Sequence, residues 1–505
     1  MSAEDPYPET GVENRPLSQY TVEDIPVLLA VIGDLKRLIT ELRAENAHLK
    51  ARIADLESQL NQNSRNSSRP PSMDGFHRPK TSRKKGERPP GGQKGHEGHT
   101  LQPVQNPDVV IVHTASTCSR CGASLEHVDP SVVERRQVFD IPPPRIIVTE
   151  HRAEHKRCPH CGCFHPTEFP VEVAHPVQYG INLKALLAYF CIYQLLPYER
   201  ASEMVFDLFG HSLSQATVVA ITGECSRNLT GVEEHTRNLL QDAQVLHVDE
   251  TSMRVGDTRH WLHVASTDLL TSYGCHRKRG AQATDAMGIL PAFQGTMIHD
   301  FWAPYFRYSS DHAICNAHLL RELRGISENY NHRWSEALSN LLIEIKAAVD
   351  VAKEEETILA PERIAAFEEQ YQKILKAAEE ETKISETPGG QGKHGRKKQS
   401  KAKNLLDRCR KYQEEILAFM KDFTIPFTNN QAERDLRMMK LKQKISGVFR
   451  SEEGAMNFCR VRGFISTIKK HDRPVLPELR SVFEGTPFMP TEAHRVPRIV
   501  TISLP

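Results

Sequence analysis

A chain of 505 residues is long enough for three or four structural units rather than one. Its apolar content of 39% supports globular cores and is low for a membrane protein, and the longest apolar run, 185–196, is too short to span a bilayer. A net charge of +1 neither requires nor forbids a nucleic-acid partner, so local clusters of basic residues matter more than the total.

The acidic start Met1-Ser2-Ala3-Glu4-Asp5 is not expected to act as a secretory signal. Residues 1 to about 24 are polar and carry proline. Then Leu28, Leu35, Leu42, Leu49 and Leu56 fall seven apart, with Ile32, Ile39, Asn46, Ile53 and Leu60 as companions. Ile at a with Leu at d favours a two-stranded parallel coiled coil, and a lone Asn at a fixes register and dimer state. A helix packed on its own domain gives the same spacing over a short stretch. Unbroken heptads favour an oligomer, so 25–62 is expected to form a homodimer or higher assembly.

Residues 63–105 turn to Asn, Ser, Pro, Gly, Lys and Arg, a composition that cannot bury enough apolar surface to fold alone. Within this linker Arg83, Lys84 and Lys85 would bind phosphates without reading sequence.

The segment 106–176 holds Cys118-Ser119-Arg120-Cys121 and Cys158-Pro159-His160-Cys161. Two such knuckles supply Cys118, Cys121, Cys158 and Cys161 as the four thiolates of a structural Zn²⁺, with Cys163, His155, His160 and His165 as neighbouring substitutes. Eleven cysteines used in this way suit a reducing cytoplasm better than a disulfide framework. The stretch 132–150 is expected to form ribbon strands and turns.

Residues 178–232 read as helical. A helix stopped by Gly210 and a second capped at Ser212 or Ser214 give the pattern of a helix-turn-helix, with Gln215 and Thr217 toward DNA. Any helical hairpin gives the same pattern.

Residues 240–480 carry the chemistry. Val245-Leu246-His247-Val248 reads as a buried strand ending on Asp249, and His260–Thr267 as its hairpin partner after the turn Gly256-Asp257-Thr258. The run Gly295-Thr296-Met297-Ile298-His299 delivers Asp300 in the same way. Glu433 sits in the first turns of a helix whose cap is Thr428, Asn429 or Asn430. Each carboxylate alone is more often a turn residue or a cap. Together, three carboxylates from two strand ends and a helix make the ligand set of a two-metal phosphoryl-transfer site, with two Mg²⁺ (or Mn²⁺) roughly 3.5–4 Å apart. Residues 327 to about 425 interrupt the set as a charged, helical insertion with a basic break at 386–398, either a solvated helical hairpin or a segment that contacts DNA beside the site. Lys440 falls two helical turns after Glu433, and Arg434 and Arg437 add charge for a DNA end. Residues 481–505 form a tail.

The segments Asp249-Glu250-Thr251, Asp300 followed by Tyr305, Cys315-Asn316-Ala317-His318 and Asn429-Asn430-Gln431-Ala432-Glu433-Arg434 resemble the insertion sequence 66 family of bacterial transposases, as does Gly91-Gly92-Gln93-Lys94-Gly95-His96-Glu97-Gly98-His99. The resemblance implies a multidomain α/β chain: a ribonuclease-H-like catalytic domain with a helical insertion, preceded by a coiled coil, a zinc ribbon and a helix-turn-helix-like segment. It implies that Asp249, Asp300 and Glu433 are the Asp-Asp-Glu triad and that Cys315 and His318 support the site. Where the family more often has Trp and a basic pair, this chain has Asn316 and Leu320-Arg321. The implied activity is Mg²⁺-dependent cleavage of element ends and strand transfer into target DNA, in the bacterial cytoplasm at the nucleoid, with accessory proteins encoded by the element. The rivals are a non-catalytic DNA-binding regulator and a metal-dependent nuclease on the same fold. A regulator has no use for a carboxylate cluster beside phosphates, whose repulsion needs metals to neutralise it.

Overall fold

The seven-residue leucine spacing becomes one unbroken 36-residue helix, α1 (Ile25–Leu60). The structure is a computed structural model that describes residues 21–22, 25–67, 101–354, 358–385 and 399–491. The basic residues Arg83, Lys84 and Lys85, the break at 386–398 and the end of the tail from 492 lie outside the described residues. The apolar ridge of α1 is open to solvent, with Leu35, Leu42 and Leu49 each about half exposed. Past Leu60 an asparagine-rich turn folds on itself. Buried Asn66 donates its amide to the Asn61 carbonyl (3.1 Å) and to the Glu328 carboxylate (3.0 Å).

The described chain divides into two compact units. The smaller takes in 101–178 and 202–214. Its two knuckles share one backbone design. Gly122 N–H reaches Cys118 O and Gly162 N–H reaches Cys158 O, both at 2.9 Å, while Cys118 and Cys158 donate to Ala123 and Cys163 at 2.8 Å. Gly122 and Gly162 both have φ +74°, a left-handed conformation that costs glycine little, so Cys-x-x-Cys-Gly folds the same way twice. Strands β1 (Lys156–Arg157) and β2 (Phe164–His165) flank the second knuckle as an antiparallel pair. The expected strands across 132–150 do not form: no residue of this stretch joins a strand, and Val132, Val138, Ile141 and Val148 are exposed. Pro142-Pro143-Pro144 removes three ladder donors at its centre.

The larger unit begins with α2 (Ile181–Ala188), which runs into a π turn at Tyr189–Tyr193. Helix α3 (Tyr198–Phe209), which belongs to the smaller unit from Ser202 on, stops at Gly210, whose φ is +66°. α4 (Gln215–Asn228) and α5 (Thr230–Gln241) follow.

A five-stranded mixed sheet carries the rest: β3 (Val245–Val255), β4 (Thr258–Ser266), β5 (Thr271–His276), β6 (Thr296–His299) and β7 (Asp311–Ile314), with a short α6 (Ala281–Ala286) between β5 and β6. The spatial order is β5-β4-β3-β6-β7; β3, β4 and β5 form an antiparallel meander, and β6 and β7 run parallel to β3. Asp249 is not at the end of its strand as expected. β3 continues to Val255, paired with β4 throughout, because Met253 and Val255 go on burying alternate side chains. What ends before Asp249 is the parallel ladder, whose last pair is His247 with Ile298.

The insertion is more than a solvated hairpin. α7 (Asn316–Tyr330), α8 (Arg333–Ala352), α9 (Pro361–Ser385), α10 (Lys401–Lys411) and α11 (Gln413–Lys421) enclose a core of their own around Trp334, Leu342, Tyr371, Leu406 and Leu417. That core is continuous with Ile298 and Ile314 of the sheet. In α8 the buried residues Leu338, Leu341, Leu342, Ile345 and Val349 follow helical spacing, a stripe that high overall charge obscures. α12 (Asn430–Ser446), α13 (Glu452–Lys470) and α14 (Val475–Phe483) complete the unit. Leu436, Met439, Phe464 and Ile465 of α12 and α13 pack in one cluster with Met253, Leu262 and Tyr273 of the sheet. Among the described residues, no helix is long and apolar enough to cross a membrane.

Candidate active site

Side chains alternate along β3, so His247 and Asp249 share one face while Val248 and Glu250 share the other. Asp300 follows directly on β6, and Glu433 stands in the first turn of α12. The fold brings these three carboxylates within electrostatic reach of one another. Desolvation holds the Asp249 carboxyl well above the usual carboxylate range, the Glu250 charge adds to this, and Asp300 and Glu433 add further. The Glu250 N–H donates to Asp249 Oδ1 at 2.8 Å and offsets part of the effect. Asp300 Oδ1 accepts the Trp302 N–H at 2.9 Å.

Adjacent acids have opposite surroundings. The Glu250 side chain is 2% exposed and fully partnered: Tyr305 donates to Oε2 at 2.6 Å, and Arg279 donates to Oε1 through Nε (2.8 Å) and Nη2 (2.5 Å). The Arg279 guanidinium lies over the rings of Trp261 (5.0 Å) and Trp302 (4.6 Å). Burial still raises the Glu250 carboxyl, against the pull of Tyr305 and Arg279. Glu433 is the reverse case. Its Oε1 is buried without a hydrogen-bond partner among the described residues, and His318 Nδ1 stands 3.7 Å away.

Asn429 ties these elements together. Expected as a helix cap, it occupies the N-cap of α12, but its side chain makes no cap bond. Its amide donates to Val248 O at 2.8 Å, its Oδ1 accepts from His247 Nδ1 at 2.8 Å, and its backbone N–H donates to Cys315 Sγ at 3.1 Å. Cys315 is the N-cap of α7, and His318 Nδ1 meets its sulfur at 3.3 Å. Burial pushes the Cys315 thiol up to about 11; burial, with Arg321 nearby, lowers the His318 imidazole.

The residues present fit a divalent metal. Asp249, Asp300 and Glu433 are hard oxygen donors, and Glu433 Oε1 lacks a hydrogen-bond donor among the described residues, but oxygens of all three do not lie within 4.8 Å of one another. The knuckles fit zinc. Backbone N–H groups of Arg120 and Cys121 draw the Cys118 thiol below its usual value, and that of Cys163 does so for Cys161. Such donors favour the thiolate, the state that zinc takes. The thiol contacts run within each knuckle, Cys118 with Cys121 and Cys161 with Cys163 and Cys158, and among the described residues the four expected ligands do not gather into one group.

Of the residues singled out for DNA, Arg434, Arg437 and Lys440 are exposed at three-residue intervals along α12. Arg434 donates to Gln431 Oε1 at 2.7 Å, and the Lys440 ammonium lies over β3, donating to Ser252 O at 3.3 Å. Gln215 is exposed and Thr217 partly buried in the first turn of α4, which packs on α2 and α13; neither belongs to the carboxylate cluster. Sequence reasoning missed the Glu250–Tyr305–Arg279 group, the His247–Asn429 bond and the buried Lys470–Asp435 pair at 2.9 Å. Only the first had a signal: the two-residue period puts Glu250 on the face away from Asp249.

The family model described as the transposase IS66 family matches residues 176–457. The zinc-finger binding domain of transposase IS66 matches 115–162, which contains all four knuckle cysteines, and a family of unknown function (DUF6444) matches 24–102. No curated protein matches the chain. The first match takes in more than half of the sequence, every strand of the five-stranded sheet and all three carboxylates, and on that ground the chain belongs to the transposase IS66 family.

Proposed function

We propose that the chain cuts the ends of its insertion sequence and joins them to target DNA, with Asp249, Asp300 and Glu433 as an Asp-Asp-Glu triad. The observation that carries this reading is the buried Glu433 Oε1, without a hydrogen-bond partner among the described residues, within electrostatic reach of Asp249. A sheet ordered β5-β4-β3-β6-β7 with β4 antiparallel to its neighbours supports a ribonuclease-H-like domain over 240–480, interrupted by the insertion. The triad would hold two Mg²⁺, or Mn²⁺ in its place. Bound there, the metals supply charge neutralisation at the phosphate and a water acidic enough to attack it.

The chain's own residues do the positioning. Asn429 holds the Glu433 helix against β3, and Glu250 is kept out of the metal cluster by Tyr305 and Arg279. His318 stands beside Glu433 to orient it. Arg434, Arg437 and Lys440 present cations along α12 for the DNA backbone. After cleavage, the freed 3′-hydroxyl would attack target DNA in line, with no covalent protein intermediate.

The other segments serve DNA and assembly. Residues 106–176 hold one structural Zn²⁺ through Cys118, Cys121, Cys158 and Cys161. Residues 178–232 act as a helix-turn-helix with Gln215 and Thr217 toward bases, and Arg83, Lys84 and Lys85 in the linker 63–105 bind phosphates. The exposed ridge of α1 pairs with a second copy of the chain over 25–62. The setting is the bacterial cytoplasm, at the nucleoid, with accessory proteins of the element as further partners. Incubating the purified chain with Mg²⁺ and the DNA flanking its own gene, then mapping the cut ends, tests the reading. Strand breaks at the element boundary are expected; binding without any break contradicts it.

A further inference from the structure

Cys315 and His318 form a second arrangement with Glu433. Cys315 caps α7 and is fully buried, and His318 lies one turn on, so its ring returns over the cap. Cys315 Sγ and His318 Nδ1 are 3.3 Å apart, His318 Nδ1 and Glu433 Oε1 are 3.7 Å apart, and one ligand atom from each of the three residues lies within 4.8 Å of the others.

These separations are those of a metal polyhedron. A tetrahedral zinc with Zn–S of about 2.3 Å and Zn–N and Zn–O of about 2.0–2.2 Å has a sulfur–nitrogen edge of about 3.5 Å and a nitrogen–oxygen edge of about 3.4 Å. The two observed edges lie within a few tenths of an ångström of those values. The surroundings agree. The Asn429 N–H donates to Cys315 Sγ at 3.1 Å, a contact that favours the thiolate a metal takes, against the burial that raises the thiol. Glu433 Oε1 has no hydrogen-bond partner to give up among the described residues.

We propose that Cys315, His318 and Glu433 bind a thiophilic divalent cation, Zn²⁺, with the fourth position open, and that the bound ion withdraws Glu433 from the three-carboxylate cluster. A thiolate and an imidazole select Zn²⁺ over Mg²⁺, whereas the carboxylates select Mg²⁺, so two sites of different preference share one side chain. Zinc then switches cleavage off by competing for that carboxylate. The binding follows from the geometry alone; the inhibition rests on Glu433 being a triad member.

The test uses the full chain, equilibrated with Zn²⁺ and analysed for metal, with cleavage in Mg²⁺ followed as Zn²⁺ is added. The parent is expected to carry a second zinc beyond that of the ribbon. Cys315→Ser and His318→Gln should each lose it, with folding checked by circular dichroism, while Cys275→Ser keeps it. The zinc concentration that halves cleavage should rise by at least about tenfold in whichever of the two variants still cuts. A zinc content that falls in neither Cys315→Ser nor His318→Gln overturns the site, whatever the ribbon holds. A second zinc that leaves cleavage unchanged overturns the withdrawal of Glu433. A parent that binds the second zinc through these residues but never cuts DNA in zinc-free Mg²⁺ supports the site and contradicts the Asp-Asp-Glu reading.

Discussion

The Asn429 amide donates to the Val248 carbonyl at 2.8 Å across 181 residues of sequence, so the residue before the Glu433 helix holds the residue before Asp249. The same side chain accepts from His247, and its backbone N–H meets Cys315. One buried asparagine thus joins β3, α7 and α12, the elements that bear or flank two of the three carboxylates. Asn429→Ala leaves the His247 ring and the Val248 carbonyl without partners, at roughly 1–3 kcal/mol for each buried group. Urea unfolding should report that loss. Cleavage should fall further than DNA binding, because Glu433 loses its anchor while the exposed cations of α12 remain. A variant as stable and as active as the parent would remove Asn429 from the account.

The charge on Asp249 gives stability a particular pH dependence. Its carboxyl is held well above the usual range by desolvation and then by Glu250, Asp300 and Glu433. The folded state therefore binds this proton more tightly than the unfolded chain. In metal-free protein, stability is lost as pH rises from the ordinary carboxylate range through the raised folded value. Asp249→Asn should flatten that part of the curve and stabilise the metal-free protein at neutral pH. Added Ca²⁺ should raise the parent's Tm at neutral pH and much less at acid pH. Thermal unfolding across pH, with and without Ca²⁺, checks both; an Asp249→Asn protein less stable than the parent at neutral pH contradicts them.

Zinc in the ribbon should be structural. Cys118→Ser or Cys161→Ser is expected to release that metal and unfold the knuckles, because binding energy and local folding energy are one quantity in a site this small. Elemental analysis combined with limited proteolysis reads both effects. A protein without ribbon zinc whose knuckles still resist protease would show that the metal is dispensable.

The α1 ridge should make a dimer. A peptide of residues 25–62 is expected to be a helical parallel dimer in sedimentation equilibrium. In the single chain Asn46 donates to its own Leu42 carbonyl at 3.2 Å. Asn46→Leu should raise thermal stability and allow other oligomers, as removal of a lone polar a-position does. A monomer at high concentration argues that the ridge serves something else.

Legibility in the sequence followed how locally each feature is encoded. Gly122 and Gly162 each close a knuckle within a few residues, so the pairs could be read directly. The runs before Asp249 and Asp300 stand out because strands buried on both faces are continuously apolar. The second half of β3, Thr251-Ser252-Met253-Arg254-Val255, alternates polar and apolar residues, so no unbroken apolar run marks it as strand. The core of α7–α11 was hidden because its apolar stripe is diluted by surface charge. Arg279 lies 29 residues from Glu250, and no spacing rule connects a loop arginine to a strand glutamate. Asn429 has the right residue type for a helix cap, and only the tertiary fold turns its side chain toward β3.

The most direct test of the central claim is to measure binding and cleavage on the same protein. Asp249→Asn keeps the side chain's shape and removes a charge that the metals require. With DNA carrying the element's end, in Mg²⁺ and in Ca²⁺, the account expects Asp249→Asn to lose several orders of magnitude in strand cleavage, and Asp300→Asn and Glu433→Gln to do likewise. Gel-shift affinity should hold or tighten, because binding rests on Lys and Arg contacts outside the triad and gains when repulsion falls. An Asp249→Asn protein that cuts its DNA as fast as the parent would contradict the account.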